Sequence, residues 1–169
     1  TGDVPPAAPA VSRPATAAKA PEPATQNLLL VVVDTLRADR LGCYGYTRPT
    51  SPNIDRLASR SVLFEQAVSQ APWTLPAHAS LLTADNPSTH GVDRPNKRLA
   101  TQAETLSQWL KAKGYYTGGV VSGPFMKTLF GFERGFHEYD DELAKVPDTH
   151  TVVTSPAITD KAFNFLDRW

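Results

Sequence analysis

The stretch NLLLVVVDTLR, residues 27–37, decides how this chain is read. Six apolar residues in a row, Leu28 to Val33, end abruptly in Asp34. So short a run, ending in three valines, predicts a strand buried on both faces, as at the centre of a parallel sheet. Periodicity alone leaves a buried helix open. In open α/β sheets ligands collect beyond the carboxyl ends of the strands, so a carboxylate there stands where a site is built. Asp34 is therefore the first candidate functional residue. Its alternatives are to start a turn or to cap the next helix.

The 169 residues give room for one domain with a real core. Lys and Arg number 17, as do Asp and Glu, so net charge builds no surface for nucleic acid or an anionic membrane. The single Cys43 excludes an intramolecular disulfide framework and any multi-cysteine zinc site. No apolar run reaches the length of a membrane span. Residues 1–26 are mostly Pro, Ala, Thr and Val without aromatics, which predicts a solvated linker ahead of a domain beginning at Asn27. With no initiating Met, the chain is expected to begin after something has been removed. An Ala/Pro tether suits an exported or lipid-anchored bacterial protein, and equally an inter-domain linker.

Beyond Asp34, TLRADRLGCYGYTRPT reads as a surface loop. Ser51-Pro52 opens a predicted helix through Arg60, with Ile54, Leu57 and Ala58 facing inward. Weak alternation over Val62–Val68 predicts a strand, Pro76–Thr83 a short helix, and Asn86-Pro87 a turn. Thr101–Lys113 is the best-defined helix: Thr101 and Glu104 have capping-box spacing, Leu106, Trp109 and Leu110 form a stripe, and Gly114 supplies the stop. Tyr115–Ser122 returns as a strand. Phe125, Phe130, Phe132 and Phe136 pack residues 123–141 without long regular structure, with Asp140 and Asp141 structural. A last helix, begun by Ser155-Pro156 or Thr159, runs to Trp169 and breaks off mid-pattern, as expected of an amino-terminal portion.

APWTLPAHASLLT, residues 71–83, carries the second candidate. Thr74 falls at a helix N-terminus, where unpaired N–H groups and the helix dipole hold an anion. Its hydroxyl is suited to attack a phosphate or sulfate centre if a divalent metal held by Asp34 activates it. An ordinary N-cap is the alternative. Cys43 reads as a small filler. Arg37 and Arg40 either neutralise an anion or pair on the surface, His90 either stabilises a turn or faces substrate, and Tyr44, Tyr46 and Trp73 either wall a pocket or simply pack.

Taken together, VVVDTLRADRLGCYGYTRPTSPNIDRLA, SQAPWTLPAHASLLTADNPSTHGV and ETLSQWLKAKGYYTGGVVS closely resemble the amino-terminal part of the sulfatase family, within the alkaline-phosphatase superfamily. The resemblance runs from about residue 27 to the end. It implies an α/β sandwich with a mainly parallel central sheet, incomplete at the carboxyl-terminal end. It also implies a divalent metal ion, Ca, Mg, Mn or Zn, and cleavage or transfer of sulfate or phosphate esters. Asp34 aligns with the family's metal-ligating acid, and Thr74-Leu75-Pro76-Ala77-His78 with its Cys/Ser-x-Pro-Ser-Arg nucleophile signature. Three positions depart from that pattern. Thr35 stands where a second Asp is usual and becomes a weaker candidate ligand. Thr74 is not expected to become formylglycine, and threonine nucleophiles occur in relatives that handle phosphoesters. His78 replaces the Arg, where it could touch nucleophile or anion. The family's further Asp-His or Asp-Asn metal ligands have no counterpart in residues 141–169.

The expectation is thus a sulfatase-like, metal-dependent hydrolase of sulfate or phosphate esters, with no nucleic-acid partner. Thr74 and His78 are its candidate catalytic residues, and Asp34, Thr35 and Thr74 its candidate metal ligands. A non-catalytic binding or assembly module, or an inactive remnant, is the alternative.

Overall fold

The computed structural model describes residues 26–146 and 155–168. Apart from Gln26, the expected linker lies outside them. Among the described residues the α-helices are α1 (Pro52–Ala58), α2 (Thr74–Thr83), α3 (Pro87–His90), α4 (Leu106–Ala112), α5 (Glu142–Lys145) and α6 (Ser155–Leu166). The strands β1 (Gly118–Val120) and β2 (Glu138–Asp140) pair in parallel, with Gly118 opposite Glu138 and Val120 opposite Asp140. The result is a mixed α/β structure with a small parallel sheet.

The core forms where α2 meets the Phe-rich stretch. Leu75 and Ala79, one helical turn apart on α2, are fully buried against Val92, Leu99, Met126, Phe130 and Phe132. Trp73 extends that packing, its ring edge-on to Phe125 at 5.4 Å and 82°. Burying this face of α2 fixes the N-terminus of the helix, because positions i and i+4 share one side.

The run 28–33 is extended but is not a strand. Leu28 to Val33 are between 46% and 72% exposed, and none of the described residues forms a ladder with them. A strand exists through its neighbours. Without one on either side, the backbone groups of this segment are left to water. Residues 62–68 are likewise unpaired, with Val62 81% and Val68 80% exposed. Ile54 and Leu57 of α1 face solvent rather than inward. These three corrections leave apolar surface open around the amino-terminal third.

Elsewhere the elements shift by a few residues. The capping box sits at Thr105 and Gln108, four residues beyond the expected pair, and α4 starts at Leu106. Gly114 does end that helix, at φ +87. The turn at Asn86-Pro87 becomes the short α3. The predicted loop contains two 3-10 turns, Ala38–Arg40 and Gly42–Tyr44. Asp55 fastens the second through a 2.8 Å bond from Cys43 N–H. Phe130 and Phe132 are buried as expected. Asp141, also buried, accepts from Thr128 N–H at 3.0 Å and pairs with Lys145. α6 is tied to β2 and α5 by Lys161, which bonds Asp140 and Glu142 at 2.7 Å each, and by Arg168 on Glu138. Among the described residues, no helix is long and apolar enough to cross a membrane.

Candidate active site

Thr74 is the first residue of α2, and the cap position belongs to Trp73, whose side chain makes no cap bond. An N-capping role for Thr74 is thereby removed. Its hydroxyl instead donates to Asp34 Oδ2 at 2.7 Å, across forty positions of sequence. At this helix start Thr74 N–H and Leu75 N–H have no intrahelical acceptor, and Pro76 has no N–H at all. Donors and the positive end of the helix dipole therefore converge beside the hydroxyl.

Asp34 leaves the extended segment at a turn, and the following residue, Thr35, has φ +58. A β-branched residue in the left-handed region costs about 1–2 kcal/mol, a strain that recurs where geometry serves a site. Asp34, Thr35, His78 and Trp73 share the wall of a cavity of about 620 Å³ beside the pair, although Thr74 itself does not line it. His78, half-buried one turn along α2, places Nδ1 2.9 Å from the Thr74 carbonyl. The structure thus brings Asp34, Thr35, Thr74 and His78 to one rim.

Other candidates are placed elsewhere. Arg37 closes on Asp39 with bonds of 2.8 and 2.6 Å, a surface pair, and Arg40 lies 5.4 Å over the Tyr46 ring. Tyr44 bonds the Phe64 carbonyl. Cys43 is half-buried, and burial, with the Asp55 carboxylate nearby, pushes its thiol above the ordinary range.

His90 is a turn residue. Its Nδ1 accepts from Val92 N–H at 3.0 Å, which leaves the proton of the neutral ring on Nε2, 3.1 Å from Ser80 Oγ on α2. Burial lowers its pKa below 6.5, with the Asp85 carboxylate and the Pro76 backbone opposing. The unfolded chain therefore binds the proton more readily. Stability from this ring is present above about pH 6.5 and lost as pH falls through the lower folded value. His90→Ala is expected to cost about 1–3 kcal/mol at pH 8, through the stranded Ser80 and Val92 groups, and to flatten stability between pH 7 and 5 in urea titrations.

Divalent cations of the calcium and magnesium type take six or more oxygen ligands. Asp34, Thr74 and Thr35 offer oxygen donors, and the Asp34–Thr74 separation of 2.7 Å suits neighbours on one ion. In donor type and spacing the residues fit such a cation. In number they fall short: among the described residues no group of three or more His, Cys, Asp or Glu could hold a metal.

A family model for sulfatases matches residues 26–167. The chain belongs to the sulfatase family. The family has an alkaline-phosphatase-like fold, represented here in part, and its members typically use a divalent metal. This sulfatase-family chain is 41% identical over 97 residues to iduronate 2-sulfatase of Mus musculus, covering 56% of the chain and 17% of that protein. It is 34% identical over 122 residues to human arylsulfatase A, covering 64% and 24%. Against the putative transferase YhbX of Escherichia coli K12 the identity is 32% over 116 residues, covering 65% and 21%. The sulfatase-family chain thus spans about a fifth of the length of these relatives.

Proposed function

We propose that this chain is the nucleophile-bearing, amino-terminal part of a metal-dependent sulfatase-family enzyme that cleaves or transfers sulfate or phosphate esters, with Thr74 as the direct nucleophile. The observation that carries this reading is the 2.7 Å bond from Thr74 Oγ1 to Asp34 Oδ2. That bond holds the hydroxyl proton on the carboxylate side and turns the lone pairs of Oγ1 away from it. Attack at sulfur or phosphorus would join the ester's central atom to Oγ1, release the alcohol, and leave a group on Thr74 for water or a second alcohol to remove. The N–H groups of Thr74 and Leu75 face the charge that develops on the non-bridging oxygens.

Asp34 and Thr74, with Thr35 as a weaker contributor, would hold a divalent cation, which when bound lowers the pKa of the hydroxyl. Further ligands would come from the rest of a whole enzyme, consistent with a sandwich that this chain supplies in part. Threonine favours phosphoesters as a rival to sulfate esters, since formylglycine chemistry starts from Cys or Ser. The Ala/Pro-rich residues 1–26 support an exported enzyme.

The test is full-length protein assayed on aryl sulfate, aryl phosphate and bis-aryl phosphodiester, before and after chelation. Turnover of at least one ester, abolished by chelation and restored by a divalent cation, is expected. No turnover of any of them would instead favour a binding or assembly module.

A further inference from the structure

The geometry points to Phe125 as a positioning residue for the Thr74 nucleophile, acting through the ring of Trp73. This inference rests on the nucleophile assignment and adds to it the part of the fold that aims the hydroxyl. The 2.7 Å bond between Thr74 and Asp34 joins two segments that are held very differently. Asp34 arrives on an extended run with no ladder among the described residues, so the fixed side of the pair is α2. Leu75 and Ala79, fully buried, set which face of α2 turns inward. They do not set the angle at which the chain enters the helix, and Thr74 sits at that entrance. The angle belongs to Trp73, extended at φ −149 and ψ 163, whose carbonyl accepts from Ala77 N–H at 3.3 Å and whose side chain makes no cap bond.

A second ring steadies Trp73. Phe125 meets its indole edge-on at 5.4 Å and 82°, a geometry that aromatic pairs favour beyond the gain from area burial alone. Phe125 is itself anchored twice. Its ring lies 5.8 Å from that of buried Phe130, and its backbone belongs to the 3-10 turn Pro124–Met126, closed by Met126 N–H on the Gly123 carbonyl at 2.8 Å. Tyr139 of β2 donates its hydroxyl to the Met126 carbonyl at 2.6 Å. A continuous run of contacts thus leads from the sheet through Phe125 and Trp73 to the nucleophile. Among the described residues Trp73 lines the cavity and Phe125 does not, so Phe125 acts on the reacting hydroxyl without touching an ester bound there. An aliphatic side chain at this position opens space beside the indole and lets the helix entrance tilt. A reacting group misplaced by about 1 Å loses on the order of a hundredfold in rate.

Full-length Phe125→Leu and Phe125→Met test this on whichever of the aryl sulfate, aryl phosphate and phosphodiester the parent protein turns over. Phe165→Leu is the control, a ring that packs on β1 against Gly118. Both Phe125 variants are expected to lower kcat by about fivefold to a hundredfold with KM within about threefold of the parent, the split that marks a misaligned reacting group. Phe165→Leu is expected to keep kcat within about twofold, even where its melting temperature falls as far. A smaller loss of kcat in the Phe125 variants, a change confined to KM, an equal kcat loss in Phe165→Leu, or failure of both Phe125 variants to fold would overturn the inference. Turnover that persists in Thr74→Ala, or a parent protein with no turnover, would remove the nucleophile assignment and this inference with it. A parent silenced by Thr74→Ala but indifferent to Phe125→Leu would remove the positioning role alone, so the two failures are distinguishable.

Discussion

Thr74→Ala in the full-length protein is expected to lower kcat by about four orders of magnitude or more, the loss seen when a covalent nucleophile is removed. Thr74→Ser should keep a substantial fraction of the rate, because the oxygen remains at the start of α2 and can still reach Asp34 Oδ2, 2.7 Å away in the parent. The fold should be unaffected. Thr74 makes no cap bond and is not among the buried core residues, so the unfolding midpoint of Thr74→Ala should move little. A large rate loss at unchanged stability is the signature that distinguishes a reacting group from a structural one. Steady-state kinetics beside thermal unfolding would measure both.

The largest structural effect is expected at Gly135. This residue, at φ +87, lies against the first turn of α4, where an added Cβ would stand 2.5 Å from Ser107 C and Gln108 Cα and closer still to Gln108 N. All three are backbone atoms, so no side-chain rotation relieves the overlap. The neighbouring Arg134 carbonyl accepts from Thr105 Oγ1 at 3.0 Å and Ser107 Oγ at 2.6 Å, which pins the turn to the helix. Gly135→Ala should therefore cost about 3 kcal/mol or more, combining left-handed strain with overpacking. In melting temperature this is roughly 10 °C. Gly114 provides the control, having the same φ of +87 with nothing within 4 Å of its Cβ position. Gly114→Ala should cost only about 1 kcal/mol, the strain alone. Similar losses at the two positions in circular-dichroism melts would remove the packing argument.

The same contact shows why parts of the fold could not be read from the chain. Thr101 with Glu104 and Thr105 with Gln108 both have capping-box spacing, and local pattern does not choose between them. The choice falls to Thr105 because its hydroxyl also bonds Arg134, 29 positions away, a contact invisible along the sequence. The run 28–33 is a second case. Its extended form follows from β-branched residues, but pairing is a property of two segments, and residues 118–120 and 138–140 make the parallel sheet instead. Thr35 gave no signal of its left-handed backbone, since that conformation runs against its side chain. The meeting of Asp34 and Thr74 was more legible. A carboxylate at the end of an apolar run and a hydroxyl at a proline-marked helix start each have a local cause, and only their convergence needed the fold. For His90, composition left two roles open, and bonds to Ser80 and Val92 decide for the turn.

Rapid quenching of full-length protein during turnover, followed by peptide mass spectrometry, tests the nucleophile assignment most directly. A phosphoryl or sulfuryl group on Thr74, gone in Thr74→Ala and reduced in Asp34→Asn, is the expected result. An adduct on any other residue, or normal turnover by Thr74→Ala, would contradict the account.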